Sequence, residues 1–331
     1  MSLLPILGVI LALCIDFALG DPKNKFHPTV WVGKIIGKFA SFSQSHFPKT
    51  EKFVGTVLTI SVTTLVGVIL YFLNRGLVFI NSIVNFTFEV EILVLIFSVL
   101  IIGILLKTTI AIKGMENHAR LIMDSLSENN LDDARTKLSM IVKRDTKNLD
   151  KQHIVSATLE SISENTVDGI TGPLFYFALF GLPGAFVYRT VSTIDSMIGY
   201  KTGAYRNLGW FGANCDKVLN YLPARITSLV MILAAMILKA NWKHSLEIMR
   251  RDSSKTESLN AGYPMATLAG ALGARFEKID HYILGDGISE LTEHHFKSAI
   301  SIMKLTTVLF CAIFTIPMIV ILSYLGLWLH A

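Results

Sequence analysis

Long apolar runs separated by polar segments are the main pattern of this chain. Four runs are close to the roughly 20 apolar residues that a helix needs to cross a bilayer, and they are residues 3–19, 53–73, 90–106 and 305–329. The first run contains Asp16 and has no preceding Lys or Arg, so we interpret it as a retained membrane helix rather than a signal peptide. The pattern predicts a protein that crosses the membrane several times.

Two further apolar segments, 170–188 and 226–240, differ from the four runs. The first is interrupted by Gly172-Pro173 and by the sequence GLPG at 181–184, and the second is short. Broken or short segments at membrane depth usually line a protein-buried cavity rather than face lipid. We therefore predict that both are embedded in the membrane, and whether they cross it stays open at this point.

The polar segments have helical periodicity. Leu131, Ala134, Leu138 and Ile141 recur at helical spacing, with Asn129 or Asn130 as a candidate N-cap. We expect a further helix from about 148 to 167 and amphipathic helices at 243–257 and 288–304, and no segment has the two-residue alternation of a strand. The predicted fold is all-α, in a single domain over residues 1–331: a polytopic membrane helix bundle with a cytoplasmic helical layer, residues 113–169, and broken, partly embedded helices.

Composition and charge support this class and predict an orientation. Hydrophobic residues make up 52% of the 331 residues and charged residues only 17%, against about 25% in a soluble domain. Lys and Arg are concentrated in 20–52, 107–169 and 241–304, whereas 74–89 has only Arg75. The positive-inside rule then places the three basic regions in the cytoplasm and 74–89 outside, in a multi-pass protein of the cell (cytoplasmic) membrane. With no Arg-rich arm or zinc knuckle, the net charge of +5 indicates loops near anionic lipid rather than nucleic-acid binding.

One polar segment suggests a metal site. In TLESISENTVDGITGP, residues 158–173, Glu160, Glu164 and Asp168 are four residues apart and lie on one face of a helix. Three acids on one face repel each other, and Mg²⁺ is commonly held by one or two carboxylates together with substrate phosphates. We predict that these acids hold Mg²⁺ beside Asn165, where Gly172-Pro173 ends the helix at the membrane surface. The alternative is that Arg144 or Arg189 pairs with them and leaves no metal site.

Other polar residues are candidates for binding anionic groups. A Gly-rich loop with Arg can bind phosphate, although aromatic and basic residues in 188–225 also suit an interfacial belt. The stretch around Asp21 and His27 is, in its simplest interpretation, a turn at which the chain leaves the membrane. The small residues of 266–274 suggest a helix that another backbone can approach closely. The candidates for substrate or phosphate binding are Asp21, His27, Arg144, Asp145, Arg189, Asp195, Lys201, Tyr205, Arg206, Arg251 and Asn260.

Five blocks of sequence, in order, carry a family resemblance. They are GDP…HP, RDT…LD, ES…SENTVDG…PLFY, YR…TIDSMIGY…YR.LGW…D…PAR and RD……NAGYP…AGALG. In this combination the chain resembles the CbiB family of cobalamin biosynthesis, the adenosylcobinamide-phosphate synthases, from Asp16 to about Arg275. One departure is YPMA at 263–266, where the family often has a Trp-Pro-Glu type sequence, and no role is assigned to Met265.

The resemblance implies an ATP-dependent amide ligase. Its substrates would be the carboxylate of adenosylcobyric acid and the amine of aminopropanol phosphate or ethanolamine phosphate, with ATP and Mg²⁺ required. Under this reading Glu160, Glu164, Asn165 and Asp168 are catalytic, and the active site faces the cytoplasm. The expected partners are the corrinoid substrate, the amino-alcohol phosphate and the lipid bilayer, with a homo-oligomer or pathway complex possible. The alternatives are a transporter for an anionic solute that uses the broken helices, and a non-enzymatic scaffold of the pathway.

Overall fold

The computed structural model describes residues 3–22, 25, 27–46, 49–83, 88–200, 205–287 and 290–327, and the chain is 78% helical. The all-α prediction is confirmed. In chain order the helices are α1 (Leu3–Leu19), α2 (Pro28–His46), α3 (Glu51–Ile83), α4 (Phe88–Lys107), α5 (Ile112–Ser127), α6 (Leu131–Leu138), α7 (Lys151–Thr166), α8 (Gly172–Ile198), α9 (Trp210–Leu219), α10 (Tyr221–Ile237), α11 (Trp242–Asp252), α12 (Gly262–Leu272), α13 (Glu293–Phe310) and α14 (Ile316–Tyr324).

A small β-hairpin is an element that the sequence did not predict. Strands β1 (Phe276–Lys278) and β2 (Tyr282–Leu284) pair antiparallel, with Phe276 opposite Leu284. Asp280, in the turn between them, has a positive φ of 62°, a conformation that Asp tolerates better than most residues. Strands of three residues are too short to show an alternating pattern.

The helices confirm the multi-pass prediction. Four described stretches are long and apolar enough to cross a membrane: Glu51–Asn81, Glu89–Ser127, Lys151–Ile198 and Glu293–Tyr324. They contain the predicted spans 53–73 and 90–106, the embedded segment 170–188 and most of 305–329. The segment 226–240 overlaps α10, and α9 with α10 forms a pair bent by 43° that could be a fifth span or a re-entrant loop. Orientation in the membrane stays a prediction.

The helix of the acidic segment does not end at Gly172-Pro173, so that part of the prediction is wrong. A π-helical turn, Val167–Thr171, connects α7 directly to α8. Pro173 follows this turn directly, and the altered hydrogen bonding of a π-helical turn accommodates a residue that has no N–H to donate. The Thr171 hydroxyl donates to the carbonyl of Thr166 at 3.0 Å. The interruption comes later, at Gly181, whose dihedrals (φ 65°, ψ −153°) are non-helical and open to glycine alone at no steric cost.

The contacts divide the chain into two compact units. The first unit comprises Met1–Ala111, Gly172–Leu219 and Cys311–Ala331, and the second comprises Ile112–Thr171 and Asn220–Phe310. The two units are interleaved along the chain, and the prediction of a single domain stays a prediction.

Close packing of α1 on α4 is the main feature of the first unit. A Cβ added at Gly8 would lie 2.5 Å from the Ile102 side chain, and one added at Gly103 would lie 2.7 Å from Leu11. Small residues that let two backbones approach are typical of helix pairs in membranes. A separate core in this unit surrounds Ile36 and Ile194.

The second unit contains the predicted polar helices. Helix α6 is capped by Asn130, whose side chain accepts from the Asp133 N–H at 3.1 Å, which confirms the predicted cap. The helix expected from about 148 to 167 is α7, capped by Asp150. The helix expected at 243–257 is α11, which is shorter than predicted, and the helix expected at 288–304 is α13, which begins and ends later than predicted.

Helix α12 is the predicted small-residue helix, and it packs against α11. A Cβ at Gly270 would lie 2.6 Å from the Ser245 Cα and 2.7 Å from the His244 carbonyl oxygen.

We expect Gly270→Ala to lower the free energy of unfolding by about 1–3 kcal/mol because backbone atoms must move apart. Thermal unfolding in detergent measures the effect, with Gly76→Ala as control, since nothing lies within 4 Å of a Cβ there. Equal unfolding temperatures for both variants would contradict the close approach.

Candidate functional sites

The Glu160 carboxylate is the centre of a buried polar network in the second unit. Glu160 is only 2% exposed. Its Oε1 accepts from Ser156 Oγ at 3.0 Å and from Arg144 Nη1 at 3.5 Å. Its Oε2 accepts from Tyr282 Oη at 2.6 Å and from Arg144 Nη2. A carboxylate offers about four lone-pair positions, so Glu160 has its acceptor capacity filled by protein donors.

The three predicted metal ligands therefore do not form one open face. Glu160 is buried, Glu164 is exposed, and Asp168 is half-buried in the π-helical turn, where the spacing of an α-helix no longer applies. Among the residues that the structure describes, no three His, Cys, Asp or Glu side chains are grouped so that they could hold a metal ion. For Glu160, the contacts match the alternative of pairing with Arg144 rather than a metal-ligand role. Glu164 and Asp168 as Mg²⁺ ligands stay a prediction.

Arg144 is positioned by the loop between α6 and α7. Burial alone would lower its pKa, but the adjacent Glu160 carboxylate raises it above the ordinary value, with a smaller contribution from Glu164. The guanidinium is thus fixed on Glu160 and senses the negative charge of Glu164. Asp145, the next residue, is exposed and accepts from the N–H of Lys147 at 3.0 Å, a contact within the loop.

Asn165 makes its contacts inside α7. Its side-chain nitrogen donates to the Ser161 carbonyl at 2.9 Å and to Ser161 Oγ at 3.3 Å. Both amide N–H groups are thus engaged, and a donor role toward a phosphate or carboxylate oxygen is not supported. Its carbonyl oxygen is the atom that suits a ligand.

Arg251 and Asp252 hold the end of the hairpin. Arg251 contacts Asp252 through Nε and Nη2, both at 2.8 Å, and Asp286 through Nη1 at 2.6 Å and Nη2 at 2.8 Å. Asp252 also accepts from the Gly285 N–H at 2.8 Å. Because four of the five N–H donors of Arg251 serve these two acids, the predicted substrate-binding role is not what its contacts support.

Asn260 anchors a stacked arginine. Its Oδ1 accepts from Arg225 Nη1 at 3.1 Å. The Arg225 guanidinium lies between the rings of Tyr221 and Tyr263, 3.6 Å and 4.2 Å from their centroids. Asn260 therefore has a tethering contact in this structure, and its role in substrate binding is not supported by the geometry.

A second charged cluster lies in the first unit, around Lys107. This lysine is 3% exposed, and its Nζ lies 3.1 Å from Asp16 Oδ1 and 2.5 Å from Asp21 Oδ1. His27 Nε2 is 3.9 Å from the same Asp21 oxygen. Burial by itself raises the pKa of Asp21, but hydrogen bonds from His27 and Lys107 lower it below its ordinary value. The structure thus brings the predicted residues Asp21 and His27 together.

The remaining predicted residues differ in their exposure to solvent. Arg189 and Asp195 are half-buried in α8, and Arg206 is exposed. Tyr205 packs against the core around Ile36 and Ile194, and its role in binding stays a prediction. Lys201 lies outside the described residues.

Comparison with known proteins gives the family. The sequence model described as CobD/Cbib protein matches residues 9–309. The chain belongs to the CobD/CbiB family of cobalamin biosynthesis. A probable cobalamin biosynthesis protein CobD of Methanothermobacter thermautotrophicus is 37% identical over 302 residues, covering 91% of this chain and 94% of the relative. The cobalamin biosynthesis protein CobD of Dehalococcoides mccartyi is 41% identical over 285 residues, covering 85% and 87%. No solved structure matches.

Two residues of this CobD/CbiB protein escaped prediction for different reasons. Lys107 ends an apolar run, where a lysine usually extends toward the membrane interface, and Asp16 inside another apolar run is the signal that indicates a buried partner. Tyr282 has no such signal, because it lies 122 residues from Glu160 in a hairpin that the sequence does not reveal.

Removing the charge of Lys107 should destabilise the first unit strongly. Lys107→Met leaves the fully buried Asp16 without its cation, at a cost of about 3–5 kcal/mol. We expect a clear drop in unfolding temperature, with Lys38→Met, an exposed lysine, as the matched control. The double variant Lys107→Met/Asp16→Asn should recover most of the loss. Equal stability of Lys107→Met and Lys38→Met would contradict the buried pair.

Asp252 should make stability depend on pH. Burial raises its pKa, but hydrogen bonds from Arg251, Lys255 and the Gly285 N–H hold it below the ordinary value of 3.8. A depressed pKa stabilises the fold above the unfolded value, and this contribution disappears as the pH falls through the folded value. The difference in unfolding temperature between wild type and Asp252→Asn should shrink below about pH 4. Asp124→Asn, at an exposed site, is the control, and a difference that does not change with pH would contradict the assignment.

Proposed function

We propose that this CobD/CbiB protein is an ATP-dependent ligase that forms an amide between adenosylcobyric acid and aminopropanol phosphate or ethanolamine phosphate. The observation that carries the proposal is Arg144, which Glu160 holds in place beside the exposed acid Glu164. A fixed guanidinium next to an accessible carboxylate provides a cation for phosphate oxygens and a ligand for a metal-bound nucleotide. Family membership supplies the pathway in which such a reaction belongs.

The reaction requires that a carboxylate become a good acyl donor. Attack of a substrate carboxylate oxygen on the γ-phosphorus of ATP forms an acyl phosphate and releases ADP. The amine nitrogen then attacks the acyl carbon, phosphate leaves with the bonding electron pair, and the nitrogen loses a proton. Both steps spread negative charge over phosphoryl oxygens, and a cation that is already oriented stabilises that charge most effectively.

The residues present suit these steps. Arg144 retains N–H donors beyond those that contact Glu160 and can donate them to phosphoryl oxygens. Glu164 and Asp168 would hold Mg²⁺ together with phosphate oxygens, and the Asn165 carbonyl oxygen is a further oxygen ligand of the type this ion prefers. When bound, Mg²⁺ supplies charge neutralisation on the phosphates. Glu160 positions Arg144 and is assigned no metal.

The proposal is tested with the purified full-length protein. We expect product only when ATP, Mg²⁺, adenosylcobyric acid and one of the two amino-alcohol phosphates are all present, measured by mass spectrometry with ADP release. Glu164→Gln should lower kcat by about 10²-fold with an unchanged unfolding temperature, because Glu164 is exposed. Glu128→Gln, another exposed acid, is the matched control and should retain wild-type rates.

Two outcomes would reject the ligase. One is wild-type protein that makes no product with either amine. The other is protein in proteoliposomes that takes up an anionic solute without ATP turnover, which would favour a transporter that uses the bent helix pair. Wild-type rates for both Glu164→Gln and Arg144→Lys would reject the placement of ATP at this site while leaving the reaction intact.

A further inference from the structure

We propose that Tyr282 is a positioning residue for Arg144, and that it acts through Glu160. Its effect on catalysis rests on the proposed function, whereas its coupling to Arg144 can be measured without that function. The residue lies on β2, outside every segment that sequence patterns connect with the acidic helix. The hairpin delivers its hydroxyl to the one carboxylate on which Arg144 depends.

The contacts show how Tyr282 could act. Its Oη donates at 2.6 Å to Glu160 Oε2, the oxygen that also accepts from Arg144 Nη2. The opposite oxygen, Oε1, accepts from Ser156 Oγ. Each carboxylate oxygen therefore has one donor that is not Arg144, and these two donors fix the rotation of the carboxylate about its last side-chain bond. The guanidinium then meets two acceptor positions whose directions are already set.

The hydroxyl remains a donor over the whole physiological range. Burial and the neighbouring Glu160 charge both raise the pKa of Tyr282 well above its ordinary value. A neutral phenol donates one hydrogen bond, and here the acceptor is Glu160. The Met265 sulfur, 3.8 Å from Oη, is a much weaker partner.

The alternative is that Tyr282 merely holds the hairpin in place. However, the hairpin has other anchors. The Glu277 N–H donates to Ser156 Oγ at 2.8 Å, the Gly285 N–H donates to Asp252, and Asp286 pairs with Arg251. Tyr282→Phe removes one oxygen and keeps the ring, so these anchors should hold the hairpin while the carboxylate loses one of its two constraints.

The experiment is a double-variant cycle with Tyr282→Phe and Arg144→Lys. Arg144→Lys keeps the charge but loses the planar fork that reads the carboxylate orientation. In the wild-type background we expect Tyr282→Phe to lower kcat about ten- to a hundredfold, since small misplacements of a catalytic group have effects of that size. KM for ATP should change less than kcat. In the Arg144→Lys background the same change should have little further effect.

Tyr263→Phe is the matched control. Tyr263 is also half-buried in the second unit, and its ring stacks on Arg225. No hydrogen bond of its hydroxyl is seen among the described residues. It should retain wild-type kcat, and all variants should unfold as single transitions.

The outcomes are distinct. Wild-type kcat for Tyr282→Phe, or an equal loss in both backgrounds, would overturn the inference, as would a loss of activity that only follows a loss of stability. If the wild type forms no product, the proposed function fails, and the unfolding temperatures of the same four proteins decide the coupling. If the shift in unfolding temperature of the double variant equals the sum of the two single-variant shifts, the coupling is overturned. If it is smaller than that sum, the coupling is supported.

Discussion

A carboxylate that is removed from water has to be matched by donors and by a positive charge, and much of the second unit is arranged to satisfy that requirement at Glu160. The unpaired charge would cost several kcal/mol. Three separate parts of the chain therefore converge on it: α7 itself through Ser156, the loop before α7 through Arg144, and the hairpin through Tyr282. The hairpin is held by this contact together with those of Glu277, Gly285 and Asp286, and its Phe276 and Leu284 side chains are buried.

The same requirement recurs wherever an acid is buried. Asp252 is completely buried and receives Arg251, Lys255 and a backbone N–H. Asp16, also completely buried, lies beside Lys107 at the end of an apolar helix. Several side chains that look like ligand-binding groups in the sequence are thus occupied with other protein groups. Glu164 is exposed to solvent, and this exposure is why the proposed chemistry is placed there.

The lengths and spacings of the apolar segments predicted the fold well, whereas the clusters of polar residues predicted the sites less well. Apolar run lengths located the spanning helices, and the Asn130 cap and the small residues around Gly270 behaved as their chemistry indicates. The acidic face was wrong in detail, because equal spacing along a chain does not reveal a π-helical turn at Asp168. Nor does it reveal that Glu160 points into the protein. Contacts such as Tyr282 with Glu160, between residues 122 positions apart, depend on tertiary structure that no single sequence pattern encodes.

The π-helical turn at Val167–Thr171 has a consequence for how this sequence can change over time. Such a turn carries one residue more than the α-helical turn it replaces. Deleting a single residue there would give a regular α-helical turn and leave the later side chains of α8 near their present directions, because the π-helical turn already absorbs the extra residue. A deletion in the first turns of α8 would instead rotate later side chains such as Phe177 by about 100° around the helix axis, away from their buried positions. A change of one residue in length should therefore be accepted more readily at this turn than inside the regular helices on either side of it.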